Sequence, residues 1–431
     1  MLAALLAFSA LLVALHVAAY PQLSPVDELQ HIDYLDKASR GQIVRRGDLV
    51  GQYALREEAC RGVEGAALIL PSCDSGHFDP LVFQEGGFNT AEIHPPSYYF
   101  VTGLSARAIR PLLGGGGRGL MTAGRLVGAL WLMAGAAVLW LLLGAFGVAW
   151  PVRVAPIALM VTAPAVLYSS SVVTNDATAI VAGAAVLLAA VKWQDGSSPG
   201  WVVVVVALAA VMFKLTNVIG VGVAVGYLVM QALGASRAGA PSAPARNARA
   251  HLLLVAAVVG GVAAGGMAWV VVHSAMAEAG EFANPMSQRF RVDSLSLGQV
   301  LPAFGAGVVP LDTDHLLAPF FGGVVITSMM VATRWVLIGS SFGLAATAER
   351  WSRAEAVAIS GVVAAMAGGP FFVLVNYVTL EVFVSIPARY MLSAVPALAV
   401  TLALCMRKPW MNAVVVAMAA VSSVATLLAL T

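Results

Sequence analysis

Long apolar runs constrain this chain more than any other feature. Eleven apolar stretches follow one another along the sequence, and a helix needs about 20 such residues to cross the hydrocarbon core of a bilayer. The pattern predicts an all-α polytopic membrane protein, built as a single integral domain over residues 1–431. The expected spans lie near residues 2–20, 119–145, 154–172, 176–193, 201–214, 215–233, 252–273, 323–346, 355–377, 390–406 and 411–430.

Composition supports this class and excludes others. Hydrophobic residues make up 60% of the chain, charged residues 11%, and the mean hydropathy is +0.86, whereas soluble domains carry about 25% charged residues. The net charge of +2 comes without a basic run or zinc-type spacing, which argues against a nucleic-acid partner. No glycine-rich loop follows a predicted strand, so a nucleotide site is not expected. The expected partner on these grounds is the lipid bilayer.

The Lys and Arg residues of the short loops predict the orientation. They cluster where loops would be cytosolic if the N-terminus is cytoplasmic. Residues 1–20 lack the basic region of a signal peptide, so a retained anchor is expected there. The same reading makes 21–118 a large first external loop with surface helices, 234–251 a disordered cytoplasmic linker, and 274–322 a second external loop. Cys60 and Cys73 share the first loop, where they are either a disulfide or two free thiols.

Asp27 and Glu28 stand directly after the first span, in "PVDELQH". Charges near hydrocarbon are costly unless they are paired or solvated, and a carboxylate in a cleft can act as a general base. The alternative is that both acids favour the first turn of a surface helix electrostatically. Twelve of the 22 acidic residues lie between Asp27 and Glu92, so polar chemistry is expected on the face of the first loop.

Three further motifs fall on the same predicted face. "TNDATAI" carries Asp176, which either positions a substrate or metal or sits in the first turn of a helix capped by Asn175. "AEIHPPSYYF" carries Glu92, His94 and Tyr98, which are either site residues or part of an interfacial belt.

Two basic residues complete the set. Arg389, in "SIPARYML", is suited to clamp a lipid phosphate through two hydrogen bonds, and Lys214 offers a second phosphate contact. The alternative for both is that they snorkel to the membrane interface.

Taken together, these motifs resemble those of the GT-C superfamily of membrane glycosyltransferases. The carrying features are "PVDELQH" after the first span, then "HPPSYY", "TNDA" and "PARYML", in that order. Among its members, the chain is most similar to the protein O-mannosyltransferases, the aminoarabinose transferases of lipid A and their uncharacterised bacterial relatives. The resemblance covers most of the chain as a pattern, although each motif is only a few residues long.

The resemblance implies a role for each matching position. Asp27 matches the catalytic base of the first external loop, and Glu28 matches the second acid of the Asp-Glu pair. Glu92 lies near an acid that precedes the proline motif in aminoarabinose transferases, with different spacing. Asp176 matches the acid of the second outer turn, and Arg389 matches the late basic residue that holds the lipid phosphate.

The implied activity is inverting transfer of a sugar from a polyprenyl-phosphate donor to a hydroxyl of a glycan, glycolipid or protein acceptor, in the cell envelope. No cofactor is certain; a divalent cation at Asp27 and Asp176 stays open. The expected catalytic residues are Asp27 and Glu28, and the expected substrate- and donor-binding residues are His31, Glu92, His94, Tyr98, Asp176, Lys214, Arg389 and Tyr390. The alternative functions are a membrane transporter or lipid flippase that uses the external acids, and a non-catalytic membrane scaffold.

Overall fold

The computed structural model describes residues 1–113, 119–237, 246–277, 288–308, 311 and 323–431. This part of the chain is helical and contains no β-sheet, only three isolated β-bridges. The centre of the expected linker 234–251, and residues 278–287, 309–310 and 312–322 of the expected loop 274–322, lie outside the described residues. The linker is flanked by helices that extend into its two ends, since one helix ends at Ala235 and the next begins at Ala248.

The described α-helices are numbered here in chain order. They are α1 (Leu2–Ala19), α2 (Glu28–Ser39), α3 (Gln52–Arg61), α4 (Ser97–Ile109), α5 (Leu120–Ala145), α6 (Val154–Val161), α7 (Pro164–Ser171), α8 (Ala179–Gln194), α9 (Gly200–Phe213), α10 (Val218–Ala235), α11 (Ala248–Ala275), α12 (Leu297–Val300), α13 (Ala303–Val308), α14 (Val324–Thr347), α15 (Arg353–Leu380), α16 (Val395–Cys405) and α17 (Pro409–Leu430). Short 3₁₀ helices at Asn175–Thr178, Leu215–Asn217 and Ala388–Ala394 precede α8, α10 and α16.

The multi-pass membrane class is confirmed, with fewer spans than the sequence predicts. Nine helices of the described residues are long and apolar enough to cross a membrane, or ten if α6 and α7 form one span bent by 61°. The bend falls at Pro164, which lacks the backbone N–H that would continue α6. The span expected at 201–214 is the 14-residue helix α9, about 21 Å long at 1.5 Å per residue and short of the roughly 30 Å hydrocarbon core.

The described residues 21–113 of the first loop include the surface helices that its amphipathic spacing predicts. Helices α2, α3 and α4 lie within it, and α2 ends just before Gly41, whose φ of +80° suits a residue without a side chain. Cys60 and Cys73 are joined by a disulfide that ties the end of α3 to the loop after it. The apolar sides of α2, α3 and α4 share a core with the start of α5. This core attaches the loop to the helices of the membrane part.

Small residues bring the central helices together. Helix α8 and the segment Ala388–Cys405 are the most buried candidate spans. A Cβ on Gly183 of α8 would lie 1.9 Å from the Ser393 carbonyl oxygen, and a Cβ on Gly220 of α10 would lie 2.9 Å from it. The Ser393 hydroxyl accepts a hydrogen bond from the Gly220 N–H at 3.0 Å. These contacts fix the 3₁₀ helix Ala388–Ala394 against α8 and α10, and Arg389 with it.

Candidate functional site

A small cavity lies where the chain leaves α1 and where α8, α10 and α16 begin. Its volume is about 20 Å³, room for roughly one water molecule. Seven of the ten predicted site residues line it: Asp27, His31, His94, Asp176, Lys214, Arg389 and Tyr390. Residues far apart in sequence therefore meet at one end of the helix bundle.

Asp27 occupies the position before α2 without capping it. Its backbone is left-handed (φ 55°), and its side chain makes no capping hydrogen bond to α2. Aspartate is among the few non-glycine residues that adopt this conformation, at some cost in strain. The conformation turns the carboxylate toward the cavity, where its Oδ2 atom lies 3.7 Å from Nη2 of Arg389. The side chain of Asp27 therefore contacts Arg389 and makes no hydrogen bond to the first turn of α2.

The environment of Asp27 makes it a stronger base than a solvated carboxylate. Although 53% of its side chain is accessible, the surrounding protein displaces bulk water, and this loss of solvation raises the pKa of Asp27 above its ordinary value. The Arg389 guanidinium opposes that rise, and the Asp176 carboxylate adds to it. Any group that draws Arg389 away would therefore raise the basicity of Asp27 further.

Four charged groups alternate in sign across the cavity. Arg389 lies between the two carboxylates, with its Nε atom 3.4 Å from Oδ2 of Asp176, and Lys214 binds the other oxygen of Asp176. Lys214 also lies over the ring of Tyr390, 4.7 Å from its centroid. Asp176, Lys214 and Arg389 are all buried. Their desolvation is offset by pairing, as buried charges require, so the cavity is neutral in sum.

The charged side chains of Asp176, Lys214 and Arg389 lie where regular α-helix is interrupted. Asp176 lies in the first turn of Asn175–Thr178, whose N-cap is Thr174 and not Asn175 as the sequence allowed. Lys214 has an extended backbone between α9 and the next 3₁₀ helix. Arg389 follows Pro387 at the start of Ala388–Ala394. Each residue stands at an interruption of the helix, where its side chain turns inward rather than toward lipid.

Two stacked histidines form another wall. The rings of His31 and His94 are 5.7 Å apart and inclined by 14°. Nδ1 of His31 shares a hydrogen bond of 2.6 Å with the Tyr99 hydroxyl, whereas Nδ1 of His94 is buried without a partner among the described residues. Burial lowers the pKa of His31 well below its ordinary value and that of His94 to about 3. Both rings are therefore neutral at neutral pH, and each offers one donor and one acceptor.

Asn175 supplies an unused amide. Its side chain is fully buried, and neither Oδ1 nor Nδ2 has a hydrogen-bond partner in the described part of the chain. Leaving such groups unpaired costs about 1–3 kcal/mol each. Because Asn175 lines the cavity beside Asp176, its amide is placed to bind a polar molecule that enters.

Three predicted site residues lie outside the cavity lining. Glu28 is fully buried and binds Arg125 through two hydrogen bonds of 2.7 and 2.5 Å. It also accepts hydrogen bonds from the backbone N–H groups of Ser24 and Val173, at 2.7 and 2.9 Å. Its carboxylate is thus occupied in joining the end of α1, α5 and the turn before Asp176.

Glu92 and Tyr98 make other contacts. Oε2 of Glu92 lies 3.2 Å from Nε2 of His273 on α11, so Glu92 links the first loop to a peripheral helix. Tyr98 packs against Tyr99 and Trp131 and belongs to the aromatic core beneath the histidines.

The candidate cation does not fit these residues. No group of three or more His, Cys, Asp or Glu side chains is arranged to hold a metal ion within the described ranges. Asp27 and Asp176, the two candidate ligands, share the Arg389 guanidinium instead. No chemical step is therefore assigned to a metal.

Sequence reasoning missed two residues. Arg125 is a single charge inside an apolar span, a pattern that marks a buried pair or functional group and that could have identified it as a partner of Glu28. Asn175 stands inside a recognised motif, but its lack of partners depends on the packing around it and has no sequence signal.

Comparison with models of protein families, with curated proteins and with solved structures returned no match.

Proposed function

We propose that this protein is an inverting glycosyltransferase that moves a sugar from a polyprenyl-phosphate donor to an acceptor hydroxyl on the external face of the membrane. The observation that supports the proposal is the meeting of Asp27, Asp176 and Arg389 in one cavity, with contacts of 3.7 and 3.4 Å through the arginine. A base and a phosphate clamp are the two groups that this reaction needs from a protein.

Each charged residue has a role in a single displacement. Asp27 takes the proton of the acceptor hydroxyl as that oxygen bonds to the anomeric carbon. The bond from that carbon to the phosphate oxygen breaks on the opposite side, and the phosphate leaves with the electron pair. Arg389 and Lys214 stabilise the developing charge, and Asp176 orients both cations. Attack opposite the leaving group inverts the anomeric centre, as in inverting glycoside hydrolysis.

Donor binding activates the base in this scheme. The Arg389–Asp27 contact is the longer of the two arginine contacts and the more exposed, so it is the one that a phosphate displaces. Loss of the arginine raises the pKa of Asp27, because Arg389 is the larger of the two cationic influences that lower it, the other being Lys214. The cavity of about 20 Å³ must widen to admit a sugar. Separation of Arg389 from Asp27 is the first step of that widening.

Polar recognition of the sugar is assigned to Asn175 and His94. Both line the cavity, and both carry buried atoms without partners among the described residues. Sugar hydroxyls both donate and accept hydrogen bonds, which suits an amide and a neutral imidazole. Glu28 becomes a positioning residue in this proposal, because its bonds to Arg125 hold the segment that bears Asp27.

The proposal is tested with the purified full-length protein, native membranes as acceptor and a panel of radiolabelled polyprenyl-phosphate sugars. Asp27→Asn should lower transfer on the order of 10²–10⁴-fold, the usual loss for a positioned base. The matched control is Asp36→Asn on α2, the helix that follows Asp27; the Asp36 carboxylate pairs with the exposed Arg40, 2.6 Å away, and the variant should keep full activity. Equal transfer by wild type and Asp27→Asn would remove Asp27 from the mechanism.

A transporter or lipid flippase is the second candidate. One observation favours it: the bent pair of α6 and α7 reaches the cavity through Tyr168, and interrupted helices line the substrate sites of many transporters. In reconstituted vesicles, movement of the lipid-linked sugar between leaflets without transfer to any acceptor would favour this candidate over the glycosyltransferase.

A further inference from the structure

A second, larger groove opens beside the first loop. Its volume is about 1400 Å³, and it runs between the outer end of α1, helix α3, the end of α4 and the start of α5. The buried Glu28–Arg125 pair separates it from the small cavity, since Arg125 lines the groove and Glu28 adjoins Asp27 in the chain. No role proposed above uses this groove.

Arginines line one part of the groove: Arg56, Arg61, Arg107, Arg110 and Arg125. Two of the five are neutralised, Arg61 by Glu57 at 2.5 Å and Arg125 by Glu28. Arg56, Arg107 and Arg110 are exposed and have no carboxylate partner in the described part of the chain. Three uncompensated positive charges therefore face one space.

Another part of the lining is apolar and belongs to the membrane helices. Ala14, Val17 and Ala18 of α1 and Leu126 of α5 form it, and both helices are candidate spans. The groove thus passes from a lipid-facing helix surface to a positively charged end. This is the profile of an acyl chain joined to an anionic head group, and basic pockets between transmembrane helices bind such lipids.

We propose that this groove binds an anionic phospholipid of the surrounding leaflet, with its phosphate between Arg56, Arg107 and Arg110 and its chain along α1. Arg107 is held for this purpose, because its Nη1 atom donates to the Ser39 carbonyl oxygen at 3.1 Å. The proposal does not depend on the glycosyltransferase function, since lipid binding is measured without transfer.

The test is a titration of the detergent-solubilised full chain, read by native mass spectrometry, with phosphatidylglycerol and with phosphatidylcholine of the same chains. Phosphatidylglycerol should bind at least tenfold more tightly. The double variant Arg56→Ala/Arg110→Ala should weaken its binding by about 10- to 30-fold, at about 1 kcal/mol for each arginine. The matched control, Arg45→Ala/Arg46→Ala, removes two exposed arginines of the same loop outside the groove and should bind like wild type.

A third variant tests the apolar part. Ala18→Trp fills the groove beside α1, where Ala18 is exposed. It should weaken the binding of phosphatidylglycerol although all five arginines remain. Equal binding of the two lipids, equal loss in the two arginine double variants, or displacement of the lipid by equimolar glycerol phosphate would each overturn the proposal. The last result would indicate a site for free phosphates rather than for a lipid.

Discussion

At the scale of single residues, Asn175 distinguishes a binding site from a packed core. A buried amide that serves stability is hydrogen-bonded, as Asn217 is: its Nδ2 atom donates to the Thr178 hydroxyl at 3.2 Å and to the Ala210 carbonyl oxygen at 2.9 Å. Asn175 is equally buried, but neither its Nδ2 nor its Oδ1 atom has a hydrogen-bond partner among the described residues. Asn175 lines the cavity, whereas Asn217 does not and is bonded to Thr178, three residues after Asn175.

The Asn175→Ala variant should therefore keep its thermal stability but lose much of its transfer activity. Removing an amide without partners relieves a desolvation cost, so we expect thermal unfolding in detergent to stay near wild type or to improve. Donor use should fall by about tenfold or more in kcat/KM, the scale of one or two lost hydrogen bonds in a buried site. Unfolding is followed by circular dichroism, and transfer by the radiolabelled assay.

The control is Asn217→Ala, which removes two hydrogen bonds and leaves the Thr178 hydroxyl with one partner fewer. It should be less stable than Asn175→Ala by about 2–3 kcal/mol. If Asn175→Ala is destabilised as much as Asn217→Ala, the Asn175 amide has partners in the folded protein and is not reserved for a ligand.

Only part of the arrangement of these charged residues could be predicted from the sequence. The convergence of Asp27, Asp176, Lys214 and Arg389 follows from motif order and from predicted sidedness, since residues on one membrane face can meet. Which of the two acids of "VDEL" faces the cavity does not follow. That choice depends on the left-handed backbone at Asp27 and on Arg125, which lies 97 residues from Glu28 in the chain.

At the scale of helices, close packing of α8, α10 and Ala388–Ala394 holds Arg389 in place. Small residues allow backbones to approach in a membrane, where the hydrophobic effect does not drive helices together. Gly183 faces the Ser393 carbonyl oxygen and has no room for a side chain. Ser393 is four residues from Arg389 in the same short helix, so displacement of one moves the other.

Gly183→Ala should therefore lower both stability and transfer. The new methyl would lie 1.9 Å from a backbone oxygen, so the helices must separate, at about 1–3 kcal/mol for overpacking. The control is Gly222→Ala on α10, where a Cβ meets nothing within 4 Å and where alanine should be neutral or stabilising. Thermal unfolding and transfer are measured for both; equal behaviour would mean that Arg389 does not depend on this packing.

Helix ends were less predictable than helix positions. The run at 154–172 is apolar throughout, so hydropathy joins α6 to α7, yet the chain bends by 61° there. Pro164 indicates a break in the helix, but the size of the bend depends on what packs against it. Helix α9 stops at Lys214 because the lysine turns inward to Asp176, a tertiary contact that no window of sequence contains.

At the scale of the whole molecule, the proposed transfer reaction requires the cavity to face away from the cytosol. The distribution of Lys and Arg predicts this orientation, and the Cys60–Cys73 disulfide fits an oxidising compartment. Both cysteines lie in the same loop as Asp27, so one measurement locates the disulfide, the arginine-lined groove and the cavity together. A lipid-linked sugar presented on the outer leaflet would then reach Asp27 directly.

Cysteine labelling tests the orientation with the disulfide intact. In a Cys405→Ala background, which removes the free cysteine of the described residues, Ile69→Cys lies in the first loop at a side chain that is 98% exposed. Lys408→Cys lies in the exposed turn between α16 and α17. A membrane-impermeant maleimide should label Ile69→Cys in intact cells and Lys408→Cys only after permeabilisation. The reverse pattern would place Asp27 in the cytosol and exclude the proposed reaction, whereas the groove would then bind lipids of the inner leaflet.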